Sequence, residues 1–218
     1  MKRIILVRHG KADNIALDAP DFKRNLTDRG CDDARNIADR LKLLGLSSNI
    51  IVSSPAPRAL QTARIIAEES GYVKRNILTR KALYDQLPGV VYEIVRALDD
   101  EMESVIIVGH NPTIEEVASD LCSGKGGLVP TSGVVAFKCK VKSWGDVDSG
   151  SGKLIAAFSP KNMPALGKSK LFPVYFEEKI ENLVLAALTE IDENAANKTR
   201  KKISRAVNGI ASKFIKNL

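Results

Sequence analysis

Apolar residues in this chain occur in two patterns: short unbroken runs, and stretches in which they recur every three or four positions. Ile4-Ile5-Leu6-Val7 is a run of the first kind, within Lys2–Val7, and it stops at Arg8 after the length of a strand. Thr27 is placed to cap a helix running to about Leu44, with Ala34, Ile37, Ala38, Leu41 and Leu44 on one face and Gly45 where it would end. Asn49–Ser53 reads as a second strand. Ser54-Pro55 then opens a helix whose apolar face is Leu60, Ala63, Ile66 and Ala67, closed near Gly71. A short strand near Asn76–Thr79 precedes a helix over Val90–Leu98. Ser104–Val108 is the most strand-like stretch, and it leads through Gly109-His110-Asn111-Pro112 into a helix ending near Leu121.

Strand followed by helix, four times over, predicts parallel strands with helices on both faces. Val134–Val141 and Lys153–Ser159 instead predict an antiparallel hairpin on one sheet edge, joined by a flexible loop over Gly145–Gly152. The expected fold class is α/β: three layers, α/β/α, around a mostly parallel sheet, with residues 1–162 as one domain. From 163 onward the pattern changes. Pro164, Gly167 and Pro173 punctuate a linker, and Tyr175–Ile191 and Lys198–Ile215 then carry apolar residues at helical spacing. Residues 163–218 are therefore expected to form a C-terminal helical hairpin that turns at Asp192-Glu193-Asn194. Such a hairpin packs on the rest of the chain or on itself, contacts a partner protein, or lays its basic face on a membrane surface.

Composition narrows the possibilities. The chain is 44% hydrophobic and 27% charged, as ordinary globular proteins are. No apolar run approaches the roughly 20 residues that span a bilayer. Cys31, Cys122 and Cys139 are odd in number and widely spaced, which suits a reducing cytoplasm and disfavours a disulfide framework or a zinc site. The net charge of +7 invites a nucleic-acid reading. Ten Lys/Arg against six Asp/Glu place +4 of it after residue 163, however, and aromatics make up only 5%. The charge is thus unremarkable over the first 163 residues and no set of stacking platforms is apparent, so nucleic acid is not the expected partner.

The candidate chemistry lies at strand ends. The two histidines are His9, directly after the first strand in Val7-Arg8-His9-Gly10, and His110, directly after the fourth in Val108-Gly109-His110-Asn111. Ligands of open α/β sheets bind in the crevice beyond those ends. Arg58 falls on the first turn of the helix after strand two, where its planar fork joins unpaired backbone N–H groups in a setting suited to a tetrahedral anion. Taken singly, either histidine could be a structural hydrogen-bonding residue, Arg8 an ion-pair partner and Arg58 a solvated helix residue. Their convergence on one sheet edge favours phosphate.

These segments resemble a known family. Leu6-Val7-Arg8-His9-Gly10-Lys11-Ala12 is similar to the signature of the histidine phosphatase superfamily, also called phosphoglycerate mutase-like. Ser54-Pro55-Ala56-Pro57-Arg58-Ala59-Leu60-Gln61-Thr62-Ala63 resembles its second motif and Val108-Gly109-His110-Asn111-Pro112 its third. With Arg24-Asn25-Leu26-Thr27-Asp28-Arg29-Gly30 and the compact layout, the likeness is to the SixA-type phosphohistidine phosphatases, over about residues 1–160. The resemblance implies that His9 attacks phosphorus and carries a phosphohistidine intermediate, that Arg8, Arg58 and His110 bind the phosphate, and that neither metal nor cofactor is needed.

Most of that superfamily supplies a carboxylic acid to protonate the leaving oxygen. The matching segment here, Arg80-Lys81-Ala82-Leu83-Tyr84-Asp85-Gln86, offers Asp85 as a candidate, although a loop Asp commonly serves as a cap or turn residue. A site without an acid suits phosphohistidine, whose imidazole can depart already protonated, better than an ester of an alcohol. About 45 residues separate His9 from Ser54, and about 45 separate Arg58 from Ser104, which leaves no room for a large lid. The expected substrate is a phosphohistidine carried on a protein. The competing readings are a general phosphomonoesterase for small phosphorylated molecules and a non-catalytic module that binds phosphorylated partners.

Overall fold

A computed structural model of the 218-residue chain describes residues 1–14, 20–86, 88–124 and 128–162. The helical hairpin expected over 163–218 lies outside the described residues. Within them the sheet has six strands in the order β3-β2-β4-β1-β5-β6: β1 Lys2–Arg8, β2 Ile50–Ser53, β3 Leu78–Thr79, β4 Ser104–Gly109, β5 Val134–Cys139 and β6 Gly152–Phe158. β1, β2, β3 and β4 run parallel; β5 runs antiparallel to β1, and β6 to β5. The edge hairpin expected from the sequence is therefore present.

Helices α1 (Asp28–Leu43), α2 (Pro57–Ser70), α3 (Pro88–Arg96) and α4 (Thr113–Leu121) cover the two faces. Strand alternation sorts their partners. Ile5, Val7, Ile51, Ile106 and Val108 point to a core closed by Ile37 and Leu41 of α1 and Ala63 and Ile66 of α2. Ile4, Leu6, Val52, Val105 and Ile107 point the other way, to Val91 and Val95 of α3 and Ile114, Val117 and Leu121 of α4. Because both faces are covered, the central strands carry unbroken apolar runs, residues 4–7 in β1 and 105–108 in β4, rather than an alternation.

Local chemistry sets the element ends. Thr27 caps α1 by accepting the Gly30 N–H at 3.0 Å. α2 begins at Pro57, three residues later than the Ser54-Pro55 start read from the sequence. A proline at the first helical position needs no N–H partner, whereas Ser54 is held in a turn by accepting the Ala56 N–H at 3.3 Å. The segment between β5 and β6 is tied down rather than merely flexible. Trp144 is fully buried and donates its indole N–H to the Met102 carbonyl at 2.8 Å, Val147 is buried, and Arg96 holds Asp148 at 3.0 Å.

The loop after β1 is pinned by an unusually close backbone approach. A Cβ on Gly10 would lie 2.8 Å from the Gly30 carbonyl oxygen, and one on Gly30 would lie 2.0 Å from that of Lys11. Both positions exclude a side chain. Gly30→Ala is thus expected to lose about 1–3 kcal/mol of stability in urea unfolding. Asn36→Ala, on the exposed face of the same helix, should stay within about 0.5 kcal/mol of wild type. Equal stabilities for the two variants would show that the loop yields.

Candidate active site

β1 and β4 are neighbours, with Arg8 opposite Gly109, yet their chains leave in opposite directions. β1 continues toward α1 on one face, while β4 continues into α4 on the other. The divergence opens a crevice at the strand ends, the place where such sheets bind ligands. His9 and His110 line it with ring centroids 4.9 Å apart. Arg8 and Arg58 line the same cavity, whose volume is about 350 Å³. The structure thus brings together the four residues named from the sequence.

His9 is positioned from both sides of its ring. Its backbone N–H donates to the Gly109 carbonyl at 3.1 Å, which ties the ends of β1 and β4 together. Nδ1 lies 2.7 Å from the Gly10 carbonyl oxygen. A carbonyl only accepts, so Nδ1 carries the proton and Nε2 keeps its lone pair. That lone pair faces Arg58, whose Nε–H donates to it at 3.3 Å. Burial, with the charges of Arg58, Arg8 and Arg24, outweighs the Gly10 bond and lowers the pKa of His9 from the usual 6.5 to about 4.

His110 is buried, and its Nε2 lies 2.8 Å from Ser54 Oγ. Its Nδ1 is buried with no hydrogen-bond partner among the described residues, as are Arg8 Nε and Asn111 Oδ1. A serine that donates to Nε2 leaves the His110 proton on Nδ1, free for an incoming anion. Burial, then the neighbouring His9 and Arg58, lower the pKa of His110 to about 3. Arg8 is steadied by donating Nη1–H to the Val129 carbonyl at 2.9 Å. Arg58 is nearly buried, and one turn further along α2 Thr62 accepts the Gly10 N–H at 3.0 Å, so α2 braces the loop that bears His9.

Asp85 is exposed and does not line the cavity. Gln86 lines it instead, with the backbone in a left-handed turn at φ 64°. The carboxylate that does line it is Asp21, in the short 3-10 turn Asp21–Lys23. Its Oδ2 accepts from Arg58 Nη2 at 2.8 Å, its Oδ1 from Arg24 Nη1 at 2.9 Å, and its backbone oxygen from Arg58 Nη1 at 2.7 Å. Tyr84 stands beside it, edge-on to both His110 and Phe22. Sequence reasoning missed Asp21, Gln86 and the role of Ser54. The available signal for Asp21 was an acid three residues before Arg24, ahead of the Leu26-Thr27 helix cap.

Among the described residues no cluster of His, Cys, Asp and Glu is arranged to hold a metal ion, and no helix is long and apolar enough to cross a membrane. Residues 4–90 match the family model of the histidine phosphatase superfamily (branch 1). The chain is 31% identical over 140 residues to the phosphohistidine phosphatase SixA of Escherichia coli, covering 62% of this chain and 83% of that protein. It is also 28% identical over 170 residues to an uncharacterised protein of Mycobacterium tuberculosis, covering 71% of this chain and all of that one. The solved structure of the protein histidine phosphatase SixA complexed with tungstate superimposes with a TM-score of 0.63 at 27% identity, over 74% of this chain and 99% of that one.

Both histidines have depressed pKa values, so both should be neutral from pH 8 down to about 5. They should charge only as the pH falls through about 4 for His9 and about 3 for His110. NMR titration of the two ring Cε1–H signals, assigned with His9→Gln, measures this directly. A midpoint above 6 for His9 would contradict the electrostatic picture of the site.

Proposed function

We propose that this chain, which belongs to the histidine phosphatase superfamily, is a phosphohistidine phosphatase that works through His9 without a metal ion. Membership makes it a phosphatase; the phosphoryl donor and the role of each residue are the proposal. The observation that carries the roles is the His9 ring, its Nδ1 pinned to a carbonyl and its bare Nε2 held in a cavity of guanidinium and imidazole donors. SixA, which the chain resembles over most of its described residues, supports the choice of phosphohistidine.

The reaction has two steps. His9 Nε2 attacks phosphorus, a new N–P bond forms, and the P–N bond to the substrate imidazole breaks with its electron pair on the departing ring. Arg8, Arg58 and His110 Nδ1–H hold the phosphoryl oxygens as charge builds on them. Those guanidiniums supply, from this chain, the positive charge that a metal would otherwise provide. Water then attacks the phosphorylated His9 and releases inorganic phosphate, and the histidine returns to its neutral form. The carbonyl of Gly10 steadies the Nδ1 proton while the ring carries the phosphoryl group.

The test is turnover of a phosphohistidine peptide, p-nitrophenyl phosphate and sugar phosphates in the presence of chelator. The expected order is phosphohistidine first and sugar phosphates last, with no loss on chelation. A loss restored by a divalent cation would overturn the metal-free mechanism, and a preference for sugar phosphates would overturn the substrate. His9→Ala should lose on the order of 10³-fold or more in kcat. Rapid quench with 32P-labelled substrate should trap label on His9; turnover by the variant within tenfold of wild type would remove His9 from the nucleophile's role.

A further inference from the structure

Asp21 is out of place in a cavity built to hold an anion. Of the described residues that line it, Arg8, Lys11, Arg24 and Arg58 are cationic and Asp21 alone is acidic. It is not a stray surface charge. Its carboxylate bonds Arg58 and Arg24 at 2.8 and 2.9 Å, and its backbone oxygen takes a second N–H of Arg58 at 2.7 Å. Arg58 is also the residue whose Nε–H reaches His9 Nε2. The carboxylate therefore stands one guanidinium width from the nucleophilic nitrogen.

Asp21 is not used up by these contacts. A carboxylate has about four acceptor positions, and two arginines occupy two of them. The Tyr84 hydroxyl, at 3.4 Å from Oδ2, is too distant to saturate a third. The side chain remains 41% exposed at the cavity's mouth. Tyr84, next to the carboxylate, meets Phe22 and His110 edge-on, with ring centroids 5.0 and 5.7 Å apart. An ionised acceptor beside an aromatic ring suits a flat ring that bears an N–H.

We propose that Asp21 is a specificity residue, its carboxylate accepting the ring N–H of the phosphorylated imidazole in its protonated, imidazolium form and keeping that proton on the ring as the P–N bond breaks and neutral imidazole departs. This rests on the reading of the site as a phosphohistidine phosphatase. Burial works to raise the Asp21 pKa, but the hydrogen bonds and charges of Arg24 and Arg58 outweigh it and hold the carboxyl below its ordinary range. At neutral pH Asp21 is therefore an acceptor and has no proton to give. A ring-protonated phosphoimidazole brings the N–H that such a group requires and departs as neutral imidazole, with the bond electrons on the nitrogen that held phosphorus and the proton still on the other. The oxygen of a departing alcohol brings no N–H and meets a negative charge. One carboxylate thus favours the first substrate and disfavours the second.

The experiment compares kcat/KM of wild type and Asp21→Asn on a phosphohistidine peptide and on p-nitrophenyl phosphate. Asparagine keeps an acceptor for Arg58 but removes the charge. The ratio of phosphohistidine to aryl phosphate turnover should fall by about 10–100-fold, the usual worth of an ionised hydrogen bond. Asp21→Ser, which cannot reach as far, should fall at least as much. A ratio that stays within threefold in both variants would overturn the assignment and leave Asp21 as a brace for Arg58. A wild-type protein that hydrolyses the aryl ester but not the phosphohistidine peptide would overturn the substrate reading, and the assignment with it.

Discussion

A histidine can attack phosphorus only through a nitrogen that carries no proton, and in His9, the proposed nucleophile, the bond from Nδ1 to the Gly10 carbonyl leaves Nε2 as that nitrogen. Several features of the chain serve this bond. The carbonyl must curl back beneath the ring of its own neighbour, and Gly10 has no side chain because the Gly30 carbonyl fills the space a Cβ would need. Gly30 has none because Lys11 fills its own. Thr62 fixes the Gly10 N–H, and the cap at Thr27 fixes the helix from which Gly30 projects. The Arg-His-Gly tripeptide is therefore one half of a contact whose other half lies about twenty residues further along.

The surrounding charge follows from the same requirement. Phosphate needs cations, and burial together with those cations keeps the His9 imidazole neutral, so in the proposed mechanism the field that binds phosphate also preserves the nucleophile. The cost is mutual repulsion among the cations. Asp21 offsets it by pairing two of the arginines, and Val129 contributes by accepting from a third. The sheet makes the assembly possible. β1 and β4 lie side by side with their exits on opposite faces, so two imidazoles meet without either being buried under a crossover helix.

Most of the fold was legible because both covered faces of the sheet force continuous apolar runs, while the helices keep a three-to-four spacing. His9, Arg58 and His110 were legible because each directly follows a strand or opens a helix, positions that topology alone sends to one edge. The residues that were not legible sit on segments whose direction depends on tertiary contacts. Asp21 is placed by Arg24 and Arg58, which are distant from each other in sequence. Gln86, rather than Asp85, lines the cavity because the backbone turns through a left-handed residue that no glycine announces. Trp144 anchors a segment rich in turn residues through a buried indole, and nothing in the local composition signals that anchor.

The leaving group remains the decisive question in the chemistry. Phosphoryl transfer through a histidine costs little when the bond to be broken joins phosphorus to another imidazole, since nucleophile and leaving group are then alike and the step is nearly balanced. An alkoxide is a far poorer leaving group and requires a proton, for which general acid catalysis is worth about 10²–10⁴-fold. Among the described residues that line this cavity, the one carboxyl group is tied to two arginines that keep it ionised. Lysines and arginines are poor acids at neutral pH, and the buried imidazoles are neutral and already committed. With no carboxylic acid free to give a proton among the described lining residues, the proposed chemistry suits bonds that break unaided. Phosphohistidine has such a bond, and once protonated its ring carries the N–H that the role proposed for Asp21 requires.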